Sequence, residues 1–314
     1  MPIRRSRSPE AGRLRAAGVG PPLVEALPRP LAFVLGGGAS LGSVQVGMLE
    51  ALAGAGVRPD LVVGTSVGAI NGALVAAEGD RATAHLARIW KYLRKEDVFP
   101  GGVISELLTL ERSHNHVFNF SGLELLIGRH LSVQTFEELA IPFMAIATRA
   151  DDGTAQIFTS GPLAPALLAS AAIPGAFPSV EIAGQSYFDG GLVANVPMLQ
   201  AIEVGAASLV VLDCGNSGRG AARPSSLAET ILFSVHVMIK HQAIADLPEA
   251  ARQVPVVYLP RPQTAGVSPF DFSASQRLMD EAQAVAARFL DDLAVTGPGV
   301  YGAPPGWAGH DASN

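Results

Sequence analysis

Three short segments of the 314-residue chain contain the residue types that acyl-ester hydrolysis requires. The first is Gly36-Gly37-Gly38, where the backbone N–H groups are not shielded by side chains. The second places a serine between glycines in Gly64-Thr65-Ser66-Val67-Gly68, and the third places a carboxylate on a turn in Asp189-Gly190-Gly191. A nucleophile, a base and oxyanion donors together form and hydrolyse an acyl-enzyme. A serine hydrolase is therefore the leading hypothesis.

Ser66 is the predicted nucleophile. Gly64 and Gly68 lie two residues before and after it, as a nucleophile elbow requires, with a predicted strand over Leu61–Val63 and a predicted helix after it. The N-terminus of that helix would present unpaired N–H groups and the positive end of its dipole to an oxyanion.

Ser40 is a rival, because Gly38-Ala39-Ser40-Leu41-Gly42 matches the same five-residue pattern. We prefer Ser66 because the preceding glycine run is better explained as a loop that donates N–H bonds to a substrate oxygen. Ser40 is then a loop residue or a helix cap. Dinucleotide binding is disfavoured because G-x-G-x-x-G would need glycine at Leu41, and no acidic residue ends the second strand.

Two interpretations of the general base stay open at this point. Asp189 follows a predicted strand, Ser186–Phe188, and Asn195-Val196-Pro197 indicates a helix start on the same rim. The Asp-Gly pair by itself would indicate a simple turn. Ser66 otherwise lacks a convincing base, which favours Asp189.

A Ser66–His236–Asp213 triad is the structural alternative. His236 lies on the predicted apolar helix Leu227–Ala245, where a packed or surface histidine is the ordinary interpretation. That helix is apolar on almost every side, which fits a core or partner-buried helix better than an interfacial one.

Apolar runs that end in glycines alternate with segments of helical periodicity, which predicts a mostly parallel sheet covered by helices on both faces. The remaining predicted strands are Leu31–Leu35, Phe143–Thr148, Gln156–Thr159, Leu209–Asp213 and Val256–Leu259. The remaining predicted helices are Ser43–Ala53, Ala82–Arg94, Leu123–Gly128, Pro165–Ala171, Val196–Val204 and Ser275–Leu293. We predict a surface excursion over Lys95–Gly122.

Composition limits the function classes. The formal net charge of −6 disfavours nucleic acid as a partner. The single cysteine, Cys214, is predicted to be a small buried apolar residue beside the end of a strand. We expect a tail over 1–29, one catalytic domain over 30–295 and a Gly/Pro-rich tail over 296–314. Without a spanning segment or an export signal, the expected location is the cytoplasm, with peripheral membrane contact allowed.

The order of these motifs, together with Ala169-Ser170-Ala171-Ala172-Ile173-Pro174, resembles the patatin-like phospholipases over about Leu31 to Cys214. The resemblance implies a three-layer α/β/α fold, a Ser66–Asp189 dyad without histidine, and acyl lipid or ester substrates, with no metal and no organic cofactor. It also implies an oxyanion hole formed by Gly36, Gly37, Gly38 and Ala39. Gly42, Gly64, Gly68, Gly190 and Gly191 would support the motifs.

One departure from the family pattern affects the glycine loop. If Gly42 is aligned with the last glycine of the family's loop, Ala39 stands at the third glycine and Leu41 stands where Arg or Lys is usual. The missing cation would weaken anion stabilisation or favour a less charged substrate. Leu41 therefore also keeps open a non-catalytic lipid-binding protein on the same fold.

Overall fold

The computed structural model describes residues 26–100, 118–215, 242, 244–264, 267–302 and 304. The strands are β1 (Leu31–Leu35), β2 (Leu61–Thr65), β3 (Phe143–Arg149), β4 (Ala155–Phe158), β5 (Val180–Ile182), β6 (Gln185–Asp189), β7 (Ser208–Leu212), β8 (Pro255–Tyr258) and β9 (Gly299–Tyr301). The helices are α1 (Ser43–Gly54), α2 (Val67–Glu78), α3 (Ala82–Tyr92), α4 (Lys95–Val98), α5 (Ser121–His130), α6 (Leu163–Ser170), α7 (Gly191–Ala194), α8 (Met198–Glu203) and α9 (Ser275–Asp291), and residues 244–253 are also helical.

The strands form one sheet in the order β5-β6-β3-β2-β1-β7-β8-β9, and β4 also pairs with β3. All pairings from β3 through β2, β1, β7 and β8 to β9 are parallel, and those of β4, β5 and β6 are antiparallel. Strands β2 and β3 lie on one side of β1, and β7 and β8 lie on the other. The carboxyl ends of β1 and its neighbours β2 and β7 therefore meet at a topological switch point, where open α/β sheets bind ligands.

Alternate residues of β1 enter two different cores. Phe33 and Leu35 pack with the helices of one layer, whereas Ala32 and Val34 belong to the cluster on the opposite face. All five residues of β1 are buried, which explains its unbroken apolar run. The predicted three-layer arrangement with a mostly parallel sheet is confirmed.

The predicted strands and helices that fall in the described part of the chain recur with boundary shifts of a few residues. Two strands of the sheet were not predicted: β5, which pairs with β6, and β9, which pairs with β8. Because β9 joins the sheet through Val256↔Val300, the ordered chain continues past the predicted boundary at residue 295. Three predicted segments lie wholly or largely outside the described residues: residues 1–25 of the predicted tail, the excursion over Lys95–Gly122 and the helix Leu227–Ala245.

Helix α1 packs against α9 through a close backbone approach at Gly47. A Cβ atom at Gly47 would collide with the carbonyl oxygen of Met279 and lie 2.8 Å from the backbone nitrogen of Gln283. Neither atom belongs to a flexible side chain. The contact between the two helices therefore requires glycine.

We predict that Gly47→Ala destabilises the protein by about 1–3 kcal/mol, because the helices must separate to admit the methyl group. Gly54→Ala is the matched control at the end of the same helix, where a Cβ atom would meet nothing within 4 Å. It should leave the free energy of unfolding unchanged or raise it by up to about 1 kcal/mol. Urea denaturation measures both, and equal effects would contradict the packing argument.

Candidate active site

Ser66 lies on a sharp turn between β2 and α2. Strand β2 ends at Thr65, α2 begins at Val67, and Ser66 itself has φ 56° and ψ −127°. A positive φ at a residue with a side chain is strained and is typical of a nucleophile elbow. A Cβ atom at Gly64 would lie 2.5 Å from the carbonyl oxygen of Gly68, so these backbones can meet only without a side chain at that position.

Asp189, the last residue of β6, faces Ser66. Its Oδ2 accepts a hydrogen bond of 2.7 Å from Ser66 Oγ, and its Oδ1 accepts one of 2.7 Å from the N–H of Gly191. Ser66 and Asp189 are only 5% and 6% exposed. Burial raises the pKa of Asp189 from 3.8 to about 6, and these two hydrogen bonds oppose the rise.

Neighbouring polar groups hold both residues of this pair. The backbone N–H of Ser66 donates to Ser170 Oγ at 2.9 Å, and Ser170 Oγ donates to the carbonyl of Ile146 at 2.5 Å. Thr148 Oγ1 donates to the backbone carbonyl of Asp189 at 2.8 Å. These contacts tie the elbow and the end of β6 to β3, which lies between them in the sheet.

The glycine loop presents two different kinds of backbone N–H. Those of Gly36 and Gly37 donate to the carbonyls of Leu212 and Asn195, both at 3.1 Å. Those of Gly38 and Ala39 have no hydrogen-bond partner among the described residues. The structure thus differs from the predicted four-residue oxyanion hole, because Gly36 and Gly37 already use their donors to anchor the loop.

A buried network of side chains that no sequence motif indicates supports the glycine loop. Trp90 Nε1 donates to Asn71 Oδ1 at 3.0 Å, and Asn71 Nδ2 donates to Gln45 Oε1 at 2.8 Å. Gln45 Nε2 then donates to the carbonyls of Gly36 at 2.8 Å and Leu212 at 3.0 Å. The available signal was an amide residue among the apolar residues of each of two helices.

The remaining motif glycines allow close packing around this loop. A Cβ atom at Gly42 would lie 2.5 Å from Val67 Cγ2, and one at Gly37 would lie 2.5 Å from Asn195 Oδ1. A Cβ atom at Gly68 would collide with the Leu35 carbonyl, and one at Gly190 with the Ile146 carbonyl. Side chains at these positions would push the loop, the elbow and the carboxylate apart.

Ser40, the rival serine, is engaged elsewhere. It is 1% exposed, and its Oγ donates to the carbonyl of Ser268 at 3.1 Å. It therefore has a structural hydrogen bond, whereas Ser66 contacts a carboxylate.

Asp213 is held by a separate buried cluster behind the loop. Its Oδ1 accepts from the N–H of Gly215 at 2.9 Å, its Oδ2 accepts from the Tyr258 hydroxyl at 2.7 Å, and Arg261 Nη1 lies 3.4 Å from Oδ2. The adjacent Cys214 is fully buried, and burial raises the pKa of its thiol, so the expectation of a buried cysteine is confirmed. His236, the histidine of the alternative triad, lies outside the described residues.

An apolar cavity of about 820 Å³, counting its open mouth, reaches Ser66. Helices α2, α3 and α5 supply most of its walls, and the aromatic residues Phe99, Phe177 and Phe272, whose rings contact one another through Phe99, also line it. This lining fits an apolar ligand.

The described residues offer neither a cluster of metal-ligating side chains nor a membrane-spanning helix. Those residues contain no group of three or more His, Cys, Asp or Glu side chains arranged to hold a metal ion. Within the same ranges, no helix has both the length and the apolar character needed to cross a bilayer.

The sequence profile of the family described as "Patatin-like phospholipase" matches residues 33–202. Patatin-like phospholipase domain-containing protein 7 of Rattus norvegicus is 31% identical over 189 residues, covering 59% of this chain and 14% of the relative. Lysophospholipase NTE1 of Mycosarcoma maydis is 26% identical over 195 residues, covering 59% of this chain and 10% of the relative. The chain thus spans a small part of the length of these relatives.

The crystal structure of VipD from Legionella pneumophila aligns with a TM-score of 0.44 and 14% identity, over 84% of this chain and 67% of that one.

We predict that Asp189→Asn stabilises the protein increasingly as the pH rises. Because folding raises the pKa of Asp189 from 3.8 to about 6, its contribution to stability is fully present below the lower value and is lost as the pH rises through the upper one. An asparagine, which is always neutral, can donate to Ser66 and accept from Gly191. The variant should therefore exceed wild type by about 1–3 kcal/mol near pH 8, with little gain near pH 4.

Urea denaturation at both pH values measures the difference. Asp151→Asn, on an exposed turn, is the control and should show no such pH-dependent gain. A gain for Asp189→Asn that is the same at both pH values would contradict the burial argument.

Proposed function

We propose that this chain, which belongs to the patatin-like phospholipase family, hydrolyses acyl esters of phospholipids or lysophospholipids with Ser66 as nucleophile and Asp189 as general base. The observation that carries the proposal is the 2.7 Å hydrogen bond from Ser66 Oγ to Asp189 Oδ2, at the end of an apolar cavity. A hydroxyl in contact with a buried carboxylate has its proton acceptor already in place.

In the first half of the proposed reaction, Ser66 Oγ attacks the acyl carbon and its proton passes to Asp189 Oδ2. The ester carbonyl becomes a tetrahedral oxyanion. When this intermediate collapses, the bond to the leaving alcohol breaks, and Asp189 returns the proton to that oxygen. The acyl group is then held as an ester of Ser66.

The N–H groups of Gly38 and Ala39 are the proposed oxyanion donors. They lack partners among the described residues, and Ala39 lines the cavity next to Ser66. Gly36 and Gly37, whose N–H groups are bonded, instead fix the position of this loop. Preorganised donors of this kind stabilise charge that develops in the transition state without having to reorient.

In the second half, water attacks the acyl carbon of the Ser66 ester while Asp189 accepts its proton. Collapse of the second oxyanion breaks the bond to Ser66 Oγ, which recovers the proton, and releases a carboxylic acid. The raised pKa of Asp189 suits both transfers, because a base with a pKa near the working pH can accept a proton and return it.

The proposed substrate class rests on the cavity and on the relatives. An apolar cavity beside the nucleophile can hold the acyl chain while the head group stays at the mouth. One of the relatives is named a lysophospholipase, which is consistent with such a substrate. Cytoplasmic location and peripheral contact with a lipid surface are parts of this proposal.

We predict that Ser66→Ala and Asp189→Asn lower kcat/KM for a short p-nitrophenyl ester by about 10³-fold or more, because each removes a reacting group. A fluorophosphonate should label wild type but not Ser66→Ala. Ser40→Ala is the matched serine control and should keep its labelling and most of its activity.

His236→Ala tests the alternative base. If it abolishes turnover while Asp189→Asn remains active, the Ser66–His236–Asp213 triad replaces the proposed dyad. A folded wild type that neither turns over nor becomes labelled would favour the non-catalytic lipid-binding alternative.

We also predict an acidic limb in the pH profile of kcat/KM. The base must be ionised to accept the Ser66 proton, so activity should fall about tenfold per pH unit below the pKa of Asp189 near 6 and level off above it. The rate of fluorophosphonate labelling should follow the same curve. The residual activity of Asp189→Asn should lack this limb, and a limb that disappears in His236→Ala instead would contradict the assignment.

A further inference from the structure

Three helices line the cavity with a regular set of side chains. Helix α2 contributes Val67, Ile70, Asn71 and Leu74, which recur on one face at helical spacing. Helix α3 contributes Leu86, Ile89 and Trp90, and α5 contributes Leu123, Leu126, Ile127 and His130. The cavity therefore runs along the length of these helices.

The direction of the cavity follows from the helix ends. Helix α2 begins beside Ser66 and ends at Glu78. The start of α5 lies towards the Ser66 end, because the ring of Phe120 stacks on that of Phe177 with centroids 5.0 Å apart. The N–H of Phe177 donates to the carbonyl of Ile173, which follows closely after the Ser170 side chain that accepts from Ser66. Helix α5 ends at His130. The two helices therefore lead away from Ser66 in the same direction.

A chain of polar side chains joins the far ends of all three helices. Glu78 Oε1 lies 2.8 Å from His85 Nδ1, and His85 Nε2 lies 3.2 Å from His130 Nδ1. The rings of His85 and His130 meet edge to face with centroids 5.3 Å apart. Of these three residues, His130 is the one that lines the cavity. His130 therefore lies at the end of the cavity that is remote from Ser66.

The chemistry of His130 suits an end wall. Burial, together with the neighbouring His85, Arg129 and Arg88, lowers the pKa of His130, and Glu78 opposes this effect. A neutral imidazole can border an apolar chain. Asn71 and Trp90, the other lining residues with polar nitrogen atoms, are hydrogen-bonded to each other.

The length of the cavity limits its occupant. Val67 and Leu74 lie two turns apart on α2, about 10 Å along the axis, and Glu78 lies about 16 Å from Val67. An extended chain advances by about 1.2 Å per bond. A straight acyl chain that starts at Ser66 therefore reaches His130 after about 8–13 carbons.

Resting on the proposed function, we propose that this cavity is a medium-chain acyl site and that His130, positioned by the Glu78–His85 pair, is the residue that limits chain length. The methyl end of the acyl chain abuts the imidazole ring. Chains that are longer by several carbons would have to fold back or displace the ring, and shorter chains would leave apolar wall unfilled. Both effects would lower affinity.

Binding to an inactive protein tests this proposal without depending on catalysis. Titration calorimetry of Ser66→Ala with saturated fatty acids of about 8 to 18 carbons should show tightest binding near 10–12 carbons. Adding His130→Ala should move the optimum to chains about 2–4 carbons longer and change the ratio of long-chain to short-chain affinity by about tenfold. Adding His130→Trp should move the optimum to shorter chains.

Leu125→Ala is the matched control, because Leu125 lies on the same helix, is 59% exposed and does not line the cavity. It should leave the optimum where it is. If neither His130 variant moves the optimum, or if the Ser66→Ala protein binds no fatty acid, the proposed site is wrong.

The same chain-length series with p-nitrophenyl esters of the active protein separates the two proposals. A shifted binding optimum without ester hydrolysis by wild type would overturn the proposed function and leave the acyl site standing. Ester hydrolysis whose chain-length preference is unchanged in both His130 variants would overturn the chain-length role alone.

Discussion

The hydrogen bond between Ser66 Oγ and Asp189 Oδ2 sets the strictest geometric requirement in this molecule. Ser66 follows a strand in the parallel part of the sheet, whereas Asp189 ends a strand in the antiparallel part. Strand β3 lies between them and pairs with both. Because a hydrogen bond tolerates an error of only a few tenths of an ångström, the register of β3 with each neighbour must be fixed. The side chains of Thr148 and Ser170 add contacts at this point.

The elements around this pair meet through backbone rather than through side chains. Gly64, Gly68 and Gly190 each occupy a position where a Cβ atom would meet a neighbouring carbonyl group. Such contacts bring the glycine loop, the elbow and the carboxylate to one edge of the sheet. The Trp90–Asn71–Gln45 network holds the loop through the hydrogen bond from Gln45 to a loop carbonyl. The network is stable because each buried amide group in it has a hydrogen-bond partner. The spacing of the motif glycines and the hydrogen bonds of the buried amides therefore maintain the same arrangement of loop, elbow and carboxylate.

Helix α2 links the chemistry to the cavity. Its N-terminus begins at the strained serine, its Asn71 holds the loop network, and its apolar face forms a wall of the cavity. Its last residue, Glu78, starts the polar chain that ends at His130. One helix therefore fixes the distance between Ser66 and the far end of the cavity. The number of residues in α2 and the rise per residue set that distance, so it changes little while the helix is intact.

The sequence by itself determined the alternation of strands and helices, the three-layer arrangement and the motif residues, because strand burial, helix periodicity and glycine spacing are local patterns. Tertiary structure alone decided what those residues contact. Ser40 and Ser66 share one motif pattern, yet their hydroxyls bond to a carbonyl and a carboxylate respectively. The sequence pattern does not distinguish the four residues of the glycine loop, but in the structure two of their N–H groups donate to the carbonyls of Leu212 and Asn195. Glu78, His85 and His130 belong to no sequence motif, because their contact depends on where α2 and α5 end and where α3 begins.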